Sequence, residues 1–184
     1  MSTSKALFLD LFGTLIEDHG VLDSVKEIKF KPGALDAVQR FSKSGYIVVI
    51  SVCRADMSLP PKEYVGLLQH HIADVLRQNG LAAERVHFVN NPDHGASRMR
   101  PLSVAALKRI ARKYGVSLDQ CVVAGDVMRD VQLGRDAGAQ TVLLSSTADS
   151  PGFEDLDWVE PDFVVEDLAE AADYLARSRS RRSR

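Results

Sequence analysis

Short apolar runs alternate with amphipathic stretches along this chain, and the alternation predicts an α/β fold. The expected architecture is a three-layer, Rossmann-like domain: a central parallel sheet with helices on both faces. Two further observations agree. The runs are only three to five residues long and nearly uninterrupted by polar groups, as strands buried on both faces are. The first and the fourth end directly on a carboxylate, Asp10 and, after Gly125, Asp126.

Ala6–Leu9 is the first expected strand; Asp10 follows at once, and Gly13-Thr14 break the pattern. Residues 16–31 read as a loop carrying Glu17, Asp18, His19 and Gly20. Pro32-Gly33 opens a helix to about Ser44, with Leu35, Val38 and Phe41 at helical spacing and Gly45 as the stop. Tyr46–Ile50 is the second strand, ending at Ser51. A helix from Pro61 to Asn79 sets Tyr64, Leu67, Leu68, His71, Ile72, Val75 and Leu76 on one face. Val86–Val89 is the third strand, 90–100 a polar loop, and Leu102–Tyr114 a helix capped by Gly115. Cys121–Ala124 is the fourth strand and 128–137 a helix closed by Gly138. Thr141–Leu144 and Phe163–Val165 are the last strands, and 167–176 is the last helix.

A chain of 184 residues, 45% hydrophobic and 26% charged, can bury one substantial core, so a single domain is expected over 1–176. Residues 177–184 hold five arginines and no acid, and this Arg/Ser tail reads as disordered. Without those arginines the net charge of −2 becomes about −7, which argues against nucleic acid as the main ligand. Cys53 and Cys121 make neither a disulfide framework nor a zinc quartet. There is no apolar leader and no run of about 18 apolar residues, so a soluble, cytoplasmic protein without membrane contact is expected.

In a parallel sheet the strand ends converge on one crevice. They would bring together Asp10 and Thr14, Ser51, Arg98 and Arg100, and Asp126 with Asp130. Carboxylates from different strands make a hard-oxygen site suited to Mg²⁺. A hydroxyl and guanidinium groups beside it suit a phosphate, which a carboxylate could attack.

These residues carry a resemblance. Asp10-Leu-Phe-Gly-Thr-Leu, Ser51 after its strand, Arg100-Pro101 and Gly125-Asp126-Val-Met-Arg-Asp130 resemble the four motifs of the haloacid dehalogenase superfamily, in order and spacing, over residues 5–145. Glu17-Asp18-His19-Gly20 followed by Pro32-Gly33-Ala34 is similar to the branch that dephosphorylates histidinol phosphate and heptose 1,7-bisphosphate. That branch has no large cap domain, in keeping with the short 16–31 stretch and the helix after Ser51. The resemblance implies a phosphatase of a small phosphorylated metabolite. Asp10 would be the nucleophile, and Asp10, Asp126 and the backbone oxygen of Phe12 would bind Mg²⁺ with support from Asp130. Ser51 and Arg100 would hold the phosphate, with Arg100 where the superfamily has a lysine; Arg54 is a further candidate phosphate ligand.

Three departures stand out. The position two after the nucleophile, an aspartate in the phosphatases that serves as general acid and base, is Phe12. General acid–base help contributes ~10²–10⁴-fold, so a slow enzyme is expected unless Glu17, Asp18 or His19 substitutes. Arginine replaces lysine at 100, keeping the charge and changing the geometry. The loop at 90–99 has Asp93 and His94 but no cysteine, so no structural zinc is expected where related phosphatases often carry one. Phe12 also leaves two other readings: an impaired pseudo-phosphatase that binds a partner, and a dehalogenase-like hydrolase using Asp10 without metal. Asp126 and Asp130 speak against the last.

Overall fold

The computed structural model describes residues 5–19, 24–52, 62–82, 85–89, 102–145 and 159–182. The strands are β1 (Lys5–Asp10), β2 (Tyr46–Ser51), β3 (Val86–Val89), β4 (Val122–Gly125), β5 (Gln140–Leu144) and β6 (Phe163–Val165). The helices are α1 (Ala34–Lys43), α2 (Lys62–Gln78), α3 (Val104–Tyr114), α4 (Met128–Ala137) and α5 (Leu168–Arg182). All six strands are parallel in one sheet, in the order β3-β2-β1-β4-β5-β6. The expected α/β architecture is therefore present, with β2 and β4 flanking β1. The strand order reverses between β1 and β4, which is where an open α/β sheet places its ligand crevice.

Side chains alternate across β1 and divide the core. Leu7 and Leu9 join a cluster with Val38 and Phe41 of α1, Leu68 and Ile72 of α2, and Leu168 and Leu175 of α5. Ala6 and Phe8 face the other way, onto Leu107 and Ile110 of α3 and Ala137 of α4. Burial on both faces explains why the strands read as unbroken apolar runs.

The structure corrects two readings. On α2 the buried stripe is Val65, Leu68, Ile72 and Leu76, whereas Leu67 is 60% exposed. At 100° per residue Leu67 lies on the far side of that stripe, and hydrophobicity alone had drawn it into the face. The last helix runs six residues beyond its expected end at 176, so the backbone of the Arg/Ser stretch is helical through Arg182. No Gly or Pro interrupts Leu168–Arg182, and Ala, Leu and Arg are strong helix formers. Among the described residues no helix is long and apolar enough to cross a membrane.

Candidate active site

β1 and β2 pair in register, with Asp10 opposite Ser51, and Leu9 stands opposite Ala124 on β4. This register brings Asp10, Ser51 and the start of the Gly125-Asp126 segment to one level at the carboxyl edge of the sheet. After Asp10 the chain makes one tight loop and returns. Leu11 N–H donates to the Ser51 carbonyl at 3.1 Å, Gly13 N–H to the Ile16 carbonyl at 2.8 Å, and both Leu15 and Ile16 N–H to the Leu11 carbonyl at 3.0 Å. Leu11, Phe12, Leu15 and Ile16 are buried by this loop.

Two glycines make room for two carboxylates. Gly13 has φ +78°, and a Cβ there would overlap Asp126 Oδ2. Gly125 has an ordinary backbone, but a Cβ there would overlap the Asp130 carboxylate. Thr14 Oγ1 donates to Asp126 Oδ1 at 3.3 Å. The loop after β1 therefore packs directly on the acid contributed by β4.

The outcome is a cluster in which a carboxylate oxygen from each of Asp10, Asp126 and Asp130 lies within 4.8 Å of the others. Solvent reaches the edges of Asp10 and Asp130, but their carboxyl groups are deeply surrounded by protein. Burial, reinforced by the charges of Asp130 and Asp126, holds the Asp10 carboxyl well above its ordinary range, against the opposing pull of Arg129 and a hydrogen bond from the Leu11 backbone. Burial likewise pushes Asp130 up to about 7; Arg129 and the Val127 backbone oppose this, and Asp126 adds to it. Asp130 Oδ2 is enclosed with no hydrogen-bond partner among the described residues. A buried carboxylate oxygen without a donor is costly, and crowding by two more acids increases the cost. A hard divalent cation relieves both penalties, so the donor set fits Mg²⁺.

A crevice runs beside the cluster, lined by Asp10, Ser51, Arg129 and Asp130 above an apolar floor that includes Phe8 and Leu133. Arg129, which sequence reasoning did not single out, stands there with its Nε enclosed and without an acceptor among the described residues. The available signal was its position in the first turn of α4, next to Asp130, where the helix begins at a strand end. Arg54, Arg98 and Arg100 lie outside the described residues, as do Cys53, Asp93 and His94. Phe12 is 6% exposed and belongs to the larger core cluster. Glu17 and His19 pair at 2.6 Å on the surface, and that bond is the main reason the Glu17 carboxyl is held below its usual range. Asp18 is exposed.

Comparison with known proteins agrees with this geometry. Residues 100–171 match the family model described as HAD-hydrolase-like. The chain is 24% identical to a D-glycero-D-manno-heptose-1,7-bisphosphate 7-phosphatase of Thermosynechococcus vestitus, over 92% of this chain and 94% of that protein. It is 26% identical to a D-glycero-beta-D-manno-heptose-1,7-bisphosphate 7-phosphatase of Bordetella bronchiseptica, over 93% of this chain and 97% of that one. The crystal structure of D,D-heptose 1,7-bisphosphate phosphatase from B. bronchiseptica, complexed with magnesium and phosphate, superposes with a TM-score of 0.72 at 24% identity, covering 96% of this chain and 99% of that one. In sheet order, in its strand-end carboxylates and over residues 100–171 the chain is similar to the haloacid dehalogenase-like class. Within that class, the relatives it resembles over nearly their whole length include heptose bisphosphate phosphatases.

Proposed function

We propose that this protein is a Mg²⁺-dependent phosphatase of a small phosphorylated sugar. The observation that carries the proposal is the three-carboxylate cluster at the switch point between β1 and β4, beside Ser51. Its support is the similarity to phosphatases that act on a heptose bisphosphate. Asp10, Asp126 and the Phe12 carbonyl would hold the cation, with Asp130 as a supporting oxygen. When bound, the cation neutralises the acidic cluster and the charge of the phosphoryl oxygens.

The rest is the work of the chain's own groups. Ser51 Oγ donates to a phosphoryl oxygen and, with Arg54 and Arg100, orients the group. An Asp10 oxygen forms a bond to phosphorus as the bond from phosphorus to the sugar oxygen breaks. The departing oxygen takes a proton, and water then hydrolyses the aspartyl phosphate to orthophosphate and the regenerated carboxylate. The phenyl ring of Phe12 gives no proton. Glu17, kept ionised by His19, is poorly suited to donate one alone, so the proton comes from solvent or is passed by His19. Turnover is correspondingly detectable on aryl esters, whose leaving groups need little protonation, and much slower on alkyl phosphates.

Burial of Phe12 in the core favours a second reading: a binding module that retains the metal and phosphate site and has lost turnover. Rates on nitrophenyl phosphate and on a sugar-phosphate panel headed by a heptose 1,7-bisphosphate, with and without Mg²⁺, separate the two. Mg²⁺-dependent hydrolysis supports the phosphatase. Mg²⁺ and phosphate binding with no hydrolysis of either ester supports the binding module.

A further inference from the structure

The crevice beside Asp10 contains two enclosed polar atoms without partners, a donor and an acceptor: Arg129 Nε and Asp130 Oδ2. The acceptor is accounted for by the cation that the acidic cluster fits. The donor is not. A guanidinium N–H enclosed away from water loses the hydrogen bonds that water would have given it, a larger loss for a charged group than for a neutral one, unless something supplies an acceptor. Among the described residues nothing does. Arg129 stands in the first turn of α4 and lines the crevice with Asp10, Ser51 and Leu133.

The crevice that Arg129 lines is partly open and passes beside the Asp10 carboxylate and Ser51. An occupant there satisfies the donor only by presenting an acceptor oxygen. A phosphoryl group held against Asp10 has such an oxygen, negatively charged. A charge-assisted hydrogen bond to it is about twice as strong as a neutral one.

We propose that Arg129 is a phosphate-binding residue of this site, donating through Nε to one phosphoryl oxygen of a phosphate monoester while the cation and Ser51 hold the others. This rests on the phosphatase reading and extends it, by giving α4 a cation that acts on the substrate in addition to the carboxylates of the Gly125–Asp130 segment. Arg129 also lies close enough to Asp10 and Asp130 to oppose the upward push on both carboxyls. Its charge therefore serves the nucleophile as well as the phosphate. The two effects have opposite consequences for the metal. Removing a cation beside three carboxylates strengthens Mg²⁺ binding, whereas removing a phosphate ligand weakens phosphate binding.

The test is calorimetric titration of orthophosphate into wild type, Arg129→Gln and Arg129→Lys at saturating Mg²⁺, with Mg²⁺ titrated separately in the absence of phosphate. Arg129→Gln should bind orthophosphate at least tenfold more weakly and Mg²⁺ as tightly as wild type or tighter. Arg129→Lys keeps a point charge without the Nε donor and should lose severalfold in phosphate affinity; it carries the test if the Gln variant does not fold. Orthophosphate affinity within twofold of wild type in either variant overturns the proposal and leaves Arg129 as a counter-charge with water in the cavity. Failure of the wild type itself to bind orthophosphate in Mg²⁺ overturns the phosphatase reading, a different result read from a different protein.

Discussion

The two ends of the sheet treat carboxylates in opposite ways. At the amino end, Asp162 leads into β6 and clamps it to β5: Asp162 Oδ2 accepts from Thr141 N–H at 2.8 Å and from Thr141 Oγ1 at 2.9 Å. The Asp162 N–H returns a bond to Thr141 Oγ1 at 2.9 Å, and Arg135 stands 3.7 Å away. At the carboxyl end, Asp130 is enclosed, keeps an oxygen with no donor among the described residues, and is crowded by Asp10 and Asp126. The first carboxylate completes a local hydrogen-bond set and has nothing left to offer. The second raises the energy of the folded chain until a cation arrives. A satisfied acid stabilises the fold, and an unsatisfied buried one marks a site for a ligand.

The largest effect that tests this contrast is on chemistry. Asp10→Asn should lower turnover of nitrophenyl phosphate by on the order of 10⁴-fold or more, because the attacking oxygen is lost while the amide keeps the shape. Asp162→Ala should leave the rate per folded molecule unchanged. Steady-state rates at one Mg²⁺ concentration suffice, and a normal rate in Asp10→Asn would remove Asp10 from the nucleophile's role.

Phe12 comes next. Phe12→Asp should raise the alkyl-to-aryl rate ratio by up to the ~10²–10⁴ that a positioned acid supplies. The gain is opposed by the loss of a buried phenyl group, since truncating a buried Phe costs roughly 3–5 kcal/mol. The variant should therefore be both a better alkyl phosphatase and a less stable protein. Rates on paired esters together with a melting curve check both halves, and an unchanged ratio would mean that another group already supplies the proton.

Stability separates the two ends most directly. Asp162→Ala should cost about 1–3 kcal/mol, since the N–H and hydroxyl of the buried Thr141 lose their acceptor. Asp130→Asn should do the reverse in metal-free protein. Asp130 titrates near 3.8 when unfolded and at about 7 when folded, so the folded state holds the extra proton between those values. Its favourable contribution is complete below the unfolded value and is lost as pH rises through about 7. The Asn variant escapes that loss, so it should melt above wild type at pH 8 and lose this advantage near pH 4. Excess Mg²⁺ should raise wild type at pH 8 and raise the variant less. Melting curves at both pH values, with and without the cation, decide it; an Asp130→Asn variant that melts below wild type at pH 8 would show that the carboxylate is satisfied after all.

The pattern of what was legible follows the same physics. Strand positions and the neighbours of β1 could be read because burial on both faces leaves unbroken apolar runs, as at Leu7–Leu9 and Val122–Ala124. Asp10, Asp126 and Asp130 could be read because each follows a strand end at fixed spacing. Leu67 could not be placed, because a helix with apolar residues on more than one face does not declare which face packs. The burial of Phe12 depends on a loop that folds back through Gly13 and Ile16, a contact no spacing rule encodes. Arg129 was passed over because an arginine in a helix's first turn is usually a solvated charge, and only the enclosure of its Nε distinguishes it.

The smallest effect sharpens the contrast most, because the residue changed neither titrates nor reacts. Gly125 is the last residue of β4 and has no unusual φ, so nothing in its own backbone calls for glycine. What requires it is Asp130, whose carboxylate occupies the place of a Cβ. In Gly125→Ala the methyl group meets the Asp130 carboxylate and also its Cβ, 2.7 Å away, so the side chain and the first turn of α4 both shift, at a cost in stability. The displaced carboxylate leaves the cluster, and the Mg²⁺-induced rise in melting temperature should shrink toward that of Asp130→Asn. Combining the two changes should add little, because both remove the same oxygen, and additivity fails for groups that share a partner. A full Mg²⁺ response in Gly125→Ala would mean that the cation needs only Asp10 and Asp126, and that the enclosed oxygen of Asp130 is not one of its ligands.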